Sequence, residues 1–194
     1  MRRIDPVEPP FEPDVGQRLE AMMPPGVPPI RLFRTLVKNL PMTSAMGTWG
    51  QYELSNRLSL NMRDREIVID RTCARCGCEY EWGVHIAFFA DRVGLTSQQV
   101  SSLTHGDATD PCWVDERERL LIKAADALHD SADLDDDLWG LLRAHLSEAQ
   151  LLDLLMLVGW YHAISYVATA ARVELEQGSP RFADTDSFRF TVDR

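Results

Sequence analysis

The chain has 194 residues, of which 45% are hydrophobic and 26% charged. This composition is typical of a globular protein and excludes disordered, collagen-like and disulfide-scaffold chains. Acidic residues outnumber basic ones by 30 to 20, so the net charge is −10. Because a nucleic-acid-binding protein needs Lys and Arg to neutralise phosphates, we expect binding neither to nucleic acid nor to an anionic membrane.

The sequence predicts a cytoplasmic protein with reduced cysteines. No apolar stretch follows the basic pair Arg2 and Arg3, so we expect no signal peptide. The most apolar stretch, residues 151–171, contains Asp153 and His162 and is predicted to be a buried helix rather than a membrane span. Without a secretory signal, the four cysteines are expected to be thiols.

Proline dominates the start of the chain. Eight of the eleven prolines lie in residues 1–29, which predicts an irregular arm with a short helix near 15–22. We expect this arm to lie over the body of its own or a neighbouring subunit. A helical domain over residues 30–182 and a tail over 183–194 follow.

Beyond the arm, the apolar spacing is helical. Apolar residues recur at three- and four-residue intervals from Leu32 until Pro41 stops the run. Two further helices are predicted over 63–75 and 78–93, divided by Gly77.

The second half predicts more helices with recognisable beginnings. Thr96 with Gln99 and Ser147 with Gln150 are capping boxes. One helix is expected from Pro111 to His129, and a second begins with residues 135–137 as its first turn. A third is expected from Ser147 to Glu176. The last of these is apolar almost all round, so it is expected in the core and shared with a second copy. No long stretch alternates with period two, and the predicted fold class is all-α.

The stretch over residues 66–85 is the candidate reactive region. If a helix begins at Cys78, then Cys78, Glu81 and His85 share one face. The helix N-terminus would lower the pKa of the Cys78 thiol, and Glu81 would orient the imidazole. Glu66 on the preceding helix would complete a proton relay. The alternative is an exposed Glu81–His85 pair beside a buried cysteine, but three cysteines within residues 73–78 favour a site.

Other arrangements of the same residues are open. Cys73 and Cys76 form a C-x-x-C dithiol, although it falls at a helix end rather than a helix start. Cys73, Cys76, Cys78 and His85 offer zinc ligands, but a helix break suits tetrahedral geometry poorly. We therefore expect no metal and no cofactor.

The remaining histidines and the fourth cysteine are given structural roles. His129 and His145 fall near helix C-termini, and His105 falls in a loop. His162 is expected to be a core histidine, or else to line the same pocket. Cys112 is expected to be a buried thiol.

This region resembles the carboxymuconolactone decarboxylase superfamily, which includes alkylhydroperoxidase D. The resemblance is carried by Arg65–Ile69, by Gly77–His85, by Gly94–Thr96 and by the segment from Arg172 to Phe182. It spans residues 32–182. It implies an all-α fold built on a two-helix catalytic motif and assembled as trimers, hexamers or, in some relatives, dimers.

The resemblance also implies roles for particular residues. In the peroxidase branch, a Glu lies twelve residues before the first Cys of a C-x-x-C, and a His lies four after the second. Glu66, Cys78 and His85 match these positions, whereas Glu81 replaces the second thiol.

Three functions follow from this pattern. Cys78 is a peroxidatic thiol that Cys73, Cys76 or an external thiol resolves; this is the favoured interpretation. Alternatively, Glu81 and His85 are acid/base catalysts that act without a cofactor on a small carboxylate or lactone. The third possibility is an inactive binding or interaction module.

Overall fold

A computed structural model describes residues 2–185, and this part of the chain is helical and contains no β-strand. The predicted all-α class is confirmed. In chain order the helices are α1 Pro13–Ala21, α2 Arg31–Leu36, α3 Leu40–Glu53, α4 Met62–Arg75, α5 Glu79–Phe89, α6 Ser97–His105, α7 Glu116–Ser131, α8 Asp136–His145 and α9 Glu148–Ala170.

Helix α4 is the centre of the molecule. It packs against α5, α6, α7 and α9, and its residues from Asp64 to Cys73 are all buried. Its predominantly polar sequence therefore brings several charged side chains into the interior. This unusual burial of charge is what builds the site described below.

The proline-rich arm lies over the body of its own chain. The backbone amides of Arg3 and Ile4 donate to Ala171 O at 3.0 and 3.3 Å, and that of Val7 donates to Arg34 O. The predicted short helix is α1, which buries Leu19. The arm therefore covers the end of α9 and the α2 region.

Two prolines were assigned the wrong role by the sequence. Pro41 does not end a helical run, because Asn39 caps a new helix there and Pro41 occupies the first turn of α3, where its missing N–H costs nothing. Pro111 does not open α7, which begins at Glu116 behind the N-cap Asp115. The two predicted capping boxes are confirmed.

Helix α9 also differs from its prediction. It ends at Ala170 rather than near Glu176, because Arg172 adopts a left-handed conformation (φ +55°) and the chain turns back. Apolar residues lie on the exposed face of α9 as well as on its buried faces. Small and apolar side chains form an exposed stripe, in chain order Leu152, Met156, Gly159, Ala163 and Tyr166.

Helix α9 is long and apolar enough to cross a membrane by length and composition. It is also the partner of α4 in the core, and the core helix of a globular protein passes the same test. Its apolar character is therefore weak support for a membrane span.

The segment that follows α9 returns to the start of α5. The Phe182 amide donates to Glu79 Oε1 at 2.8 Å, and the Phe182 ring lies edge-on to Trp82. Pro180 O comes so close to Gly83 that a Cβ there would lie 2.7 Å from it. Most of the predicted tail, residues 186–194, lies outside the described residues.

Candidate functional site

The candidate site is formed where α4, α5 and α9 meet. Glu66 comes from α4, Glu81 and His85 come from α5, and Tyr161 comes from α9. Gly77, in a left-handed conformation (φ +64°), turns the chain between α4 and α5. The turn lets the two halves of the predicted motif pack against each other.

His85 is held at both ring nitrogens. Its Nδ1 lies 2.7 Å from Glu66 Oε2, and its Nε2 lies 3.1 Å from the Tyr161 hydroxyl. Glu81 Oε1 lies 3.6 Å from the same Nε2. The sequence therefore predicted correctly that Glu66, Glu81 and His85 come together, and the structure adds Tyr161.

The relay is buried and charged. Glu66 and His85 are 0% and 3% exposed, and Arg65 pairs with Glu66 Oε1 at 2.6 Å. Burial alone would lower the pKa of His85, but the carboxylates of Glu66 and Glu81 raise it to about 10. His85 is therefore an imidazolium at neutral pH and can donate a proton.

Asp70 adds a third buried carboxyl to the same interior, beside those of Glu66 and Glu81. Burial raises its pKa well above the usual range, and the neighbouring Glu66 adds to the effect. The raised pKa favours the protonated form of the Asp70 carboxyl beside the Glu66–His85 pair. The sequence did not single out Asp70, because a carboxyl on a polar helix looks like a solvated one.

The Cys78 thiol lies in an apolar environment and within the electrostatic influence of Glu81. Cys78 is the N-cap residue of α5, is 1% exposed and packs among Leu32, Ile164 and other apolar residues. Burial raises the pKa of the Cys78 thiol, and the negative charge of Glu81 raises it further. The Glu81 backbone N–H and the Ser165 hydroxyl lower this pKa, but by less. The expected lowering of this pKa by the helix N-terminus is therefore wrong.

The other thiols differ in accessibility. Cys73 is fully buried, and burial raises its pKa well above the usual range. Cys76 is half-buried and, like Cys78, neighbours Ser165. Cys112 is half-buried rather than buried. All four cysteines are free thiols, and the deep burial of Cys73 disfavours the Cys73–Cys76 dithiol, whose first thiol needs to be exposed.

One carboxylate oxygen of Glu81 has no protein partner. Glu81 Oε2 is buried and makes no hydrogen bond, whereas Oε1 faces His85. A buried acceptor without a partner is costly and marks a place where a proton or a ligand can be received.

The four zinc ligands considered from the sequence, which include His85, do not form a metal site. His85 is engaged by Glu66 and Tyr161. Within residues 2–185, a different group of side chains lies close enough together to hold a metal ion. This group consists of Cys76, His129 and His162. His162 therefore faces His129 rather than the relay, and helical spacing carried no signal of that pairing.

Comparison with solved structures finds the same fold in other proteins. An uncharacterized peroxidase-related protein from Silicibacter sp. TM1040 superposes with a TM-score of 0.79 over 93% of this chain and 95% of its own, at 16% identity. The fold is that of the alkylhydroperoxidase D-like proteins. This agrees with the resemblance seen in the sequence. No family model and no curated protein matches the sequence.

Two further structures share the alkylhydroperoxidase D-like fold. A protein of unknown function from Agrobacterium tumefaciens, described as a candidate AhpD for antioxidant defence, has a TM-score of 0.65, 22% identity and coverage of 73% of this chain and 95% of its own. A variant of the debrominase Bmp8 in complex with 2,3,4-tribromopyrrole has a TM-score of 0.76, 16% identity and coverage of 95% and 96%.

Proposed function

We propose that the protein is a thiol-dependent hydroperoxide reductase in which Glu81 takes the place of a second active-site thiol. The observation that carries the proposal is the position of Glu81. Its carboxylate acts electrostatically on the Cys78 thiol, whose pKa it raises, and one oxygen of the same carboxylate lies 3.6 Å from His85 Nε2. A proton can therefore pass between the thiol and the Glu66–His85 pair through Glu81.

The reaction balances with a hydroperoxide as the oxidant. Glu81 accepts the thiol proton, the Cys78 sulfur attacks the distal peroxide oxygen, and the O–O bond breaks. The proton held by Glu81 and His85 goes to the departing alkoxide, which leaves as an alcohol. Cys78 is oxidised to a sulfenic acid.

A second thiol then returns the enzyme to its reduced form. It attacks the sulfenic sulfur, water leaves and a disulfide forms, which an external dithiol reduces with two electrons. Cys76 is better placed for this step than Cys73, since it is half-exposed and shares the neighbour Ser165 with Cys78. A small external thiol would serve equally.

The decisive assay is the consumption of cumene hydroperoxide by reduced, chelator-treated protein with excess dithiothreitol. We expect Cys78→Ser to abolish consumption. We expect Glu81→Gln to slow it about a hundredfold, since a positioned acid or base contributes about 10²–10⁴ in rate. The matched control Cys112→Ser should behave like wild type. Unchanged consumption by Cys78→Ser would contradict the proposal.

The second candidate function is acid/base catalysis on a small carboxylate or lactone. It is favoured by the unpartnered Glu81 Oε2 together with a Cys78 thiol that is 1% exposed. In this case Cys78→Ser would convert the substrate at the wild-type rate, whereas Glu81→Gln and His85→Gln would not. The same variants thus separate the two functions.

We also propose that the protein is a cytoplasmic homo-oligomer that contacts its copies through the exposed stripe of α9. The stripe includes Leu152 and Tyr166, which are 64% and 65% exposed, and Gly159, which permits close helix approach. Exposed apolar surface arranged along one helix face is typical of an association site. The site itself lies on the opposite, buried side of α9.

Leu152→Glu is expected to reduce the oligomer to a smaller species, because it buries an unpaired charge in an apolar contact. Light scattering coupled to size exclusion measures the mass. The control Glu148→Gln, one turn earlier on α9, should keep the wild-type mass. A wild-type protein that is monomeric at high concentration would refute the interface.

A further inference from the structure

Cys76, the thiol better placed to resolve Cys78, forms a cluster with His129 and His162, two histidines that the proposed function does not use. Cys76 follows α4, His129 lies in the last turn of α7, and His162 lies on α9. The Cys76 sulfur is 3.8 Å from His129 Nδ1, and His129 Nδ1 is 3.0 Å from His162 Nε2. All three donor atoms lie within 4.8 Å of one another.

We propose that these three residues bind a zinc ion. In a tetrahedral site with Zn–S near 2.3 Å and Zn–N near 2.05 Å, ligand atoms are separated by about 3.6 Å for S–N pairs and about 3.3 Å for N–N pairs. The observed 3.8 and 3.0 Å lie within a few tenths of an ångström of these values. Two of the three ligand separations thus match a tetrahedral site, and the third, from the Cys76 sulfur to His162 Nε2, is at most 4.8 Å, so a bound ion would draw these side chains together.

The orientation of His162 supports ligation. Its Nδ1 donates to Val158 O at 2.8 Å, which places the lone pair on Nε2, the atom that faces the other two donors. Ligating histidines in proteins are commonly fixed in this way by a backbone carbonyl. Arg75, whose charge acts on both Cys76 and His129, is paired with Asp126 and Asp130 and so does not present an unbalanced charge to the ion.

The identity of the metal follows from the ligand types. One thiolate and two imidazoles suit zinc, and oxygen-seeking magnesium and calcium do not match them. All three side chains are half-buried. Cys76 also lines a surface groove of about 570 Å³ with Ser165, Tyr166 and Thr169. A fourth coordination position is therefore open to water or to a ligand from the groove.

The zinc site is separate from the relay but adjoins the proposed thiol chemistry. It shares no residue with Glu66, Glu81 and His85. A bound ion would hold Cys76 as a thiolate and withhold it from a disulfide with Cys78. The binding experiment below reads the metal directly, so its outcome does not depend on peroxide reduction.

The test is a titration of reduced, chelator-treated and desalted protein with Co²⁺, a spectroscopic substitute for zinc. We expect one equivalent to give a thiolate-to-metal charge-transfer band with tetrahedral visible bands, and Zn²⁺ to displace the cobalt. Cys76→Ser should abolish the charge-transfer band. His129→Gln and His162→Gln should each weaken binding at least tenfold, as the loss of supporting groups alone weakens metal sites about 10–100-fold.

Matched controls exist for both ligand types. Cys112→Ser and His145→Gln remove a half-buried thiol and an exposed imidazole elsewhere in the chain and should bind cobalt like wild type. Circular dichroism shows that each variant is folded. The proposal is overturned if wild type gives no charge-transfer band, or if the band persists in Cys76→Ser.

Discussion

Glu66→Ala is expected to lower the free energy of unfolding by about 3–5 kcal/mol, the usual cost of removing one partner from a buried ion pair. Glu66 is fully buried and faces both His85 Nδ1 and the Arg65 guanidinium. Its removal leaves two buried cations without their common anion. Equilibrium denaturation with urea, at one fixed protein concentration, measures the change.

The matched control for this loss is Glu116→Ala. Glu116 is exposed and pairs with Arg119 at 3.6 Å, so the removal of this carboxylate should cost less than about 1 kcal/mol. Glu66→Gln keeps a hydrogen-bond acceptor toward His85 and should fall between the two. If Glu66→Ala costs no more than Glu116→Ala, the buried pair does not stabilise the fold.

The stability of the protein is expected to fall as the pH rises from about 6.5 to about 10 through the titration of His85. The pKa of His85 is about 10 in the folded protein, against a usual value of about 6.5. A raised folded-state pKa stabilises the protein fully below pH 6.5, and this contribution is lost as the pH rises through the folded value. Between the two, the free energy of unfolding should fall by about 1.4 kcal/mol per pH unit for this group.

Comparison with His85→Gln isolates this titration from those of Asp70, Tyr161 and the cysteines, which lie near the same relay. The variant should lose the part of the slope that His85 contributes, whereas His145→Gln, which removes an exposed imidazole, should keep it. Denaturation midpoints measured at half-unit pH steps give both slopes. Parallel curves for wild type and His85→Gln would show that His85 is not the group that titrates.

The local part of the site was predictable because its signals are local. Glu81 and His85 are one helical turn apart, so helical spacing alone places them side by side. Glu66 lies on the preceding helix and was expected to join them once the two helices pack. The capping boxes are equally local, since their hydrogen bonds join residues three apart. The Glu81–His85 pair and the capping boxes needed no knowledge of tertiary packing.

The rest of the site depends on contacts between distant parts of the chain. Tyr161 is 76 residues from His85, and His162 is 33 residues from His129. In an apolar helix such side chains are indistinguishable from core residues. The raised pKa of Cys78 arises because α2 and α9 bury it, which spacing within α5 does not reveal.

Pro41 shows the same limit at the level of helix boundaries. A proline ends one helix and is equally suited to the first turn of the next. The choice was made by Asn39, whose side chain accepts a hydrogen bond from the Met42 amide and begins α3. Without this cap, the proline alone predicts the end of a helix and gives no sign of α3.

The most direct test of the account is to trap the oxidised form of Cys78. Reduced, chelator-treated protein is mixed with cumene hydroperoxide in the presence of dimedone, which labels sulfenic acids, and the labelled residue is located by peptide mass spectrometry. We expect rapid labelling at Cys78, strongly slowed in Glu81→Gln and unchanged in Cys112→Ser. Labelling that is absent from Cys78, or equally fast without the Glu81 carboxylate, would contradict it.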